Sequence, residues 1–319
     1  MSAKRFKSAL VLSGGSARAL SHLGVLESIE RQKVQVDMIV GTSMGAVIGG
    51  LYAYYRDSSR VIARLGTLFR SEVFLKTASA VTAEGIAQVG PDGFFNRFVW
   101  LFRKGVYYTH SMLHTELVRE DLYDEMIAML VPDILIEDLP IPFASVAMDL
   151  ATGDEIVITS GSLRRAIAAS SAIPGLLPVI EIDGRSLVDG GWVDNVPVAP
   201  AIALGAHFVI AVDATLEISG MTVYPQSAIE IVLRTNEITR IVLNRHRKSY
   251  ADVVVTPEIG QLFWADFRAM DRCMEAGRKA FDATVREVSK KHALRRCLTL
   301  GGLVHPARAC EWRHPFLIS

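Results

Sequence analysis

The sequence predicts an α/β protein, specifically a three-layer α/β/α sandwich with a largely parallel central sheet. Two successive units, each an apolar run that ends in a glycine turn and opens into a helix, carry that prediction. Further short apolar runs that read as buried strands, interleaved with helical patterns, support it. With 319 residues, 50% hydrophobic and 21% charged, the chain can bury one large core. One domain over residues 8–290 is expected, followed by a tail, 291–319, to which no role is assigned.

Ser8 to Leu12 is a short apolar run that ends at Ser13-Gly14-Gly15, and from Ala17 to Ile29 apolar residues recur at helical spacing, so strand, loop and helix follow one another. The pattern repeats at once. Val36 to Val40 is a second buried strand that enters Gly41-Thr42-Ser43-Met44-Gly45 and a helix through Ala53. Residues Ser58 to Asp138 are mostly helical, with loop signals at Gly90-Pro91-Asp92-Gly93 and Pro132-Asp133. Pro142 to Leu150 and Glu155 to Thr159 predict a strand pair around Ala151-Thr152-Gly153-Asp154, and a helix from Ser162 to Ser171 stops before Pro174-Gly175. His207 to Val212 and Asp252 to Val255 are further strands, separated by a helix from Gln226 to about Lys248, and a last helix spans about Ala265 to Lys290.

Net charge is +0, from 34 basic and 34 acidic residues, which argues against a nucleic-acid partner. The three cysteines, Cys273, Cys297 and Cys310, form no C-x-x-C pair. This suits a reducing, cytoplasmic setting without a structural zinc. The apolar run behind Lys4, Arg5 and Lys7 is shorter than a signal-peptide core, so no export signal is expected. Met38 to Tyr55 is apolar enough to suggest a membrane span, but glycines and Thr42-Ser43 break it into strand, turn and buried helix. No oligomeric state is read from the sequence.

Three segments carry chemistry. Gly41-Thr42-Ser43-Met44-Gly45 lies directly between a strand and a helix, where a sharp turn pushes the central hydroxyl outward and glycines avoid clashes. The helix N-terminus beneath it favours developing negative charge. The same pentapeptide also fits a small-residue packing turn. Gly14-Gly15-Ser16-Ala17-Arg18-Ala19 occupies the equivalent place in the first unit, where unobstructed backbone N–H groups can form an oxyanion hole, a phosphate cradle or a plain turn. In Leu187-Val188-Asp189-Gly190-Gly191 an apolar run delivers one carboxylate to a glycine loop. Asp189 suits either a general base or a turn aspartate that caps its own backbone.

In order and spacing these segments resemble the patatin-like phospholipases, in particular bacterial proteins similar to the catalytic domain of neuropathy target esterase. The resemblance runs from about Ser8 to about Lys290. It adds His22-Leu23-Gly24-Val25-Leu26, Ala169-Ser170-Ser171-Ala172-Ile173-Pro174-Gly175 and Asn195-Val196-Pro197-Val198. It implies a Ser-Asp dyad without a catalytic histidine, in which Ser43 attacks an ester of a phospholipid or lysophospholipid and Asp189 takes its proton. Gly14, Gly15 and Ser16 would form the oxyanion hole, with Arg18, Gly41, Gly45, Gly190 and Gly191 in support and no metal or organic cofactor. Ser16 stands where the family has a third glycine and Ala19 where it has a final one. Either substitution costs on the order of 1 kcal/mol or more if its position needs positive φ. A catalytically weak scaffold that binds lipid or a protein partner is therefore one alternative, and a Ser-His acyltransferase is another. His22 and His207 read as structural; His292, His305 and His314 fall beyond the predicted domain.

Between Gly93 and Tyr108, Phe94, Phe95, Phe98, Trp100 and Phe102 alternate with Arg97, Arg103 and Lys104. Aromatic and basic residues together suit a helix that docks peripherally on the inner membrane face. They equally suit a core helix whose cations reach outward.

Overall fold

The first strand, β1 (Ser8–Leu12), is buried at every position. Leu10 and Leu12 join one hydrophobic cluster, Ala9 and Val11 another, so the strand must be covered on both sides. The structure is a computed structural model that describes residues 6–83, 118–215, 224–225, 228–262, 264–300 and 316–318. After β1 come α1 (Ser21–Arg31), β2 (Met38–Thr42), α2 (Met44–Tyr55), α3 (Ser58–Phe69), α4 (Glu72–Ala83) and α5 (Glu120–Leu130). Then follow β3 (Phe143–Asp149), β4 (Glu155–Ile158), α6 (Leu163–Ser171), β5 (Ile180–Ile182), β6 (Arg185–Asp189) and α7 (Val198–Ala203). The described chain closes with β7 (Phe208–Val212), α8 (Ala228–Lys248), β8 (Val253–Val255), α9 (Met270–Leu300) and β9 (Phe316–Ile318).

These strands form a single sheet in the order β5-β6-β3-β2-β1-β7-β8, with β4 on the other side of β3 and β9 beyond β4. The middle is parallel, as expected: β1 pairs with β2 and β7, β2 with β3, and β7 with β8. The β3 end is antiparallel, through β3–β4, β3–β6 and the β5–β6 hairpin. On one face, Leu10, Leu12, Ile39, Phe143, Ile156 and Phe208 pack under α1, α2, α3, α5, α6 and α9. The opposite face is lined mainly by Ala9, Val11, Val40, Ala144, Val146 and Ala211 under α7, an arrangement in which smaller side chains admit a closer layer.

Local chemistry explains the helix starts. The Asp57 carboxylate accepts the N–H groups of Ser59 (2.9 Å) and Arg60 (3.2 Å) ahead of α3, and Ser162 caps α6 through Arg165 N–H. The helix expected from Ala17 begins instead with a tight 3-10 turn, Ser16–Leu20, before α1. The expected second strand lies two residues further on, ending at Thr42, next to Ser43. No glycine or proline interrupts residues 278–300, and α9 runs past the expected end at residue 290 to Leu300. Within the supposed tail, Phe316–Ile318 pairs in parallel with β4.

Candidate active site

The sheet register brings two distant stretches together. At the end of β2, Thr42 pairs with Val146 of β3, and at the end of β6, Asp189 pairs with Ala147, the next residue along. β4 occupies the opposite edge of β3 over Ser145 to Met148, so β2 and β6 share one edge. Parallel β2 and antiparallel β6 therefore run toward each other and meet tip to tip. Across that meeting point the Ser43 hydroxyl donates to Asp189 Oδ2 at 2.6 Å.

The turn after β2 is strained and tightly held. Ser43 adopts φ 57 and ψ −128, a conformation that costs a serine about 1–3 kcal/mol and persists only when neighbours impose it. Its N–H donates to Ser170 Oγ (3.0 Å), whose own hydroxyl donates to Val146 O (2.6 Å). Its carbonyl accepts from the N–H groups of Ala46 and Val47, and the preceding Thr42 hydroxyl donates to Asp194 O at 2.8 Å. A side chain at Gly45 would collide with the carbonyls of Leu12 and Ser13, and one at Gly41 with Gly45 O. Both glycines thus let α2 start directly against the end of β1.

Asp189, 2% exposed, caps its own turn with one oxygen and meets Ser43 with the other. Oδ1 accepts the N–H of Gly191 at 2.7 Å as a turn cap, which leaves Oδ2 for Ser43. Burial pushes its pKa up to about 6, against the hydrogen bonds from Ser43 and Gly191 and the charge of Arg240. Gly190 is required because a Cβ there would collide with Val146 O.

The first turn lies alongside. A Cβ at Gly14 would sit 3.1 Å from Ser43 Cβ and would overlap Asn195 Oδ1. Gly14 differs from its expected role, because its N–H is committed to Asn195 O at 3.2 Å. The N–H groups of Gly15 and Ser16 have no acceptor among the described residues, nor does that of Met44, which opens α2. Gly15 takes φ 149 and Ser16 φ 49, whereas Ala19 lies in ordinary 3-10 geometry. The departure at residue 16 is therefore the strained one, and that at residue 19 is not. Arg18 anchors the turn from behind, with Nε donating to Ala214 O (3.0 Å) and Nη1 to Gly260 O (2.6 Å). Beneath the turn, burial pushes His22 down to about 4, and its neutral ring lies with Nε2 2.8 Å from Ser13 O.

Several supporting residues went unassigned a role in the sequence. Asp194 and Asn195 join the two turns, one through the Thr42 hydroxyl and the other through the Gly14 N–H. α8 holds them from behind: Asn244 Oδ1 accepts the Asn195 N–H, and Arg247 lies 2.9 Å from Asp194 and 3.2 Å from Glu155, all three side chains buried. Burial and the adjacent Asp194 charge push Glu155 up to about 8, burial raises Asp194 as well, and the two carboxyl groups share the single cation Arg247. Ser170 and Asn195 stood within recognised motifs, but nothing in the sequence gave their partners.

The segment holding Phe94, Phe95, Arg97, Phe98, Trp100, Phe102, Arg103 and Lys104 lies outside the described residues. Among the described residues no helix is long and apolar enough to cross a membrane, and no group of three or more His, Cys, Asp or Glu side chains could hold a metal ion.

Comparison with known proteins converges on one family. Lysophospholipase NTE1 of Mycosarcoma maydis is 33% identical over 213 residues, 64% of this chain and 9% of that protein. Patatin-like phospholipase domain-containing protein 6 of Homo sapiens is 33% identical over 207 residues, 64% of this chain and 13% of that one. An uncharacterized NTE family protein of Mycobacterium tuberculosis is 31% identical over 204 residues, 64% and 48% of the respective chains. The matched stretch thus spans less than half the length of these relatives. Among solved structures, VipD from Legionella pneumophila aligns with TM-score 0.44 and 16% identity over 91% of this chain and 68% of its own. The model of the patatin-like phospholipase family matches residues 10–202, a span that runs from β1 through both turns and the Asp189 loop to α7, and the chain belongs to that family.

Proposed function

We propose that the protein is a serine acyl hydrolase that cleaves carboxylic esters of phospholipids or lysophospholipids with Ser43 and Asp189. The observation that carries this reading is the 2.6 Å hydrogen bond from the Ser43 hydroxyl to a buried carboxylate, made on a strained strand-to-helix turn. In the first step Ser43 Oγ attacks the ester carbonyl carbon while Asp189 Oδ2 takes the hydroxyl proton. Negative charge on the carbonyl oxygen is met by the N–H groups of Gly15, Ser16 and Met44, with the N-terminus of α2 adding its dipole. Collapse breaks the ester C–O bond, and the proton on Asp189 passes to the departing alkoxide. Water, deprotonated by the same carboxylate, then releases the fatty acid from the acyl-enzyme and restores the serine.

The shape of the first turn favours an enzyme over a lipid-binding scaffold of the same fold. Ser16 accepts the left-handed conformation at φ 49, and the turn still presents its N–H groups. Hydrolysis of a panel of lysophospholipids and phospholipids by wild type beside Ser43→Ala tests the proposal, together with labelling of Ser43 by an organophosphonate. Turnover that survives Ser43→Ala overturns it. The aromatic and basic residues from Phe94 to Lys104 are the proposed point of bilayer contact.

A further inference from the structure

Across the glycine loop from Asp189 stands a cation to which the chemistry above gives no task. Arg240 lies on α8, and its guanidinium carbon sits 5.1 Å from the centroid of the Trp192 ring, in cation–π range. Its Nη2 donates to Glu237 Oε2 at 2.7 Å, so stacking and an ion pair fix the direction of the planar group. A Cβ added at Gly191 would lie 3.0 Å from Asp189 Oδ1 and 3.8 Å from Arg240 Nη1. A side chain at Gly191 would thus touch both the guanidinium and the carboxylate that is hydrogen-bonded to Ser43. Arg240 nevertheless keeps 24% of its side-chain surface exposed, unlike Asp189. Among the described residues Glu237 is its carboxylate partner, and the Nη1 edge faces the loop.

We infer that Arg240 binds the phosphate of the lipid head group and thereby sets a preference for phosphate-bearing over neutral esters. This assignment rests on the hydrolase reading. The reasoning is geometric and chemical. In a lysophospholipid the phosphate lies one glycerol backbone away from the acyl carbonyl, so when that carbonyl sits over Ser43 the phosphate falls a few bonds to one side. A guanidinium pinned at one edge, with no acceptor at the other among the described residues, presents the fork that phosphate oxygens accept in pairs. Trp192 supplies a flat apolar support that keeps the fork from swinging into water. A charge needed solely to hold Asp189 ionised would serve as well fully buried.

The test compares two substrates that share one acyl chain, 1-acyl-lysophosphatidylcholine and the neutral 1-monoacylglycerol. In Arg240→Gln the ratio of their kcat/KM values should fall roughly 10- to 100-fold, through a higher KM for the phosphate-bearing lipid, the size expected for a charge-assisted hydrogen bond. Arg240→Lys should recover part of the ratio. An unchanged ratio overturns the inference, and an unchanged ratio with a displaced pH midpoint identifies Arg240 instead as a residue acting through Asp189. A second readout does not depend on turnover: Ser43→Ala protein titrated with a short-chain lysophosphatidylcholine below its micelle concentration should bind it more weakly once Arg240→Gln is added. Equal binding overturns the phosphate contact even if the wild type cleaves neither lipid, which by itself sinks only the hydrolase reading.

Discussion

The two strand-to-helix turns leave neighbouring strands of the same sheet, yet they are finished in opposite ways. In the second, the chain reverses through the single residue Ser43, and every polar group of that residue is engaged: N–H by Ser170, carbonyl by Ala46 and Val47, hydroxyl by Asp189. In the first, the chain unwinds through Gly15 and Ser16 into a 3-10 turn, and the N–H groups of both residues are left without a described acceptor. One turn is built to fix a side chain, the other to leave main-chain donors available. The acyl transfer proposed above needs both, and Asp194-Asn195 holds the two together.

The sharpest way to break this division of labour is at the fixed side chain. Ser43→Ala and Asp189→Asn should each lower turnover on the order of 10³-fold or more, measured as fatty-acid release at substrate concentrations below KM. Next in size is the strap behind both turns. Arg247→Met leaves two buried carboxyl groups without their cation and should cost about 3–5 kcal/mol in urea unfolding; a loss below 1 kcal/mol would show that α8 does not hold the turns.

Asp189→Asn should also stabilise the fold. The native pKa of about 6 lies above the ordinary 3.8, so between those values the unfolded chain holds fewer protons and stability falls as pH rises. At neutral pH the penalty is fully present, and its removal is worth up to about 3 kcal/mol in thermal unfolding. With Asp189 as the proposed base, the same titration governs rate. kcat/KM should rise as Asp189 loses its proton near pH 6 and level off above, falling about tenfold at one unit below the midpoint. The smallest effect belongs to the open turn. Ser16→Gly relieves the left-handed serine, should add about 1 kcal/mol or less of stability and should keep turnover at least at the wild-type level. A marked loss of turnover would instead give the Ser16 side chain a task.

How much of this was visible in the sequence follows from how local each signal is. β1, β2 and their turns were legible because apolar runs end abruptly in glycine. β3 and β4 were legible because Thr152-Gly153-Asp154 separates two apolar stretches. The β5–β6 hairpin was not recognised, although Asp183-Gly184, with φ of 50 and 73, is the two-residue turn such a hairpin needs. Glu181 and Ser186 interrupt the apolar pattern on either side, which hid the strands. Ser43 stood out from its strand-turn-helix context and Asp189 only once the resemblance joined it to the other segments, whereas their supports could not be read at all. Arg247 sits in Arg245-His246-Arg247-Lys248, which reads as a solvated helix end, and only the packing of α8 shows it turned inward toward Asp194.

The tip-to-tip meeting of β2 and β6 has a consequence for how the centre withstands heat. The spacing of hydroxyl and carboxylate is set by one peptide repeat of β3, from Val146 to Ala147, and so by main-chain ladders in the middle of the sheet. Outer helices can fray and re-form while that repeat stays constant. Amide exchange at residues 146 and 147 should accordingly be among the slowest in the chain, and catalytic competence should disappear in the same transition that dissolves the sheet.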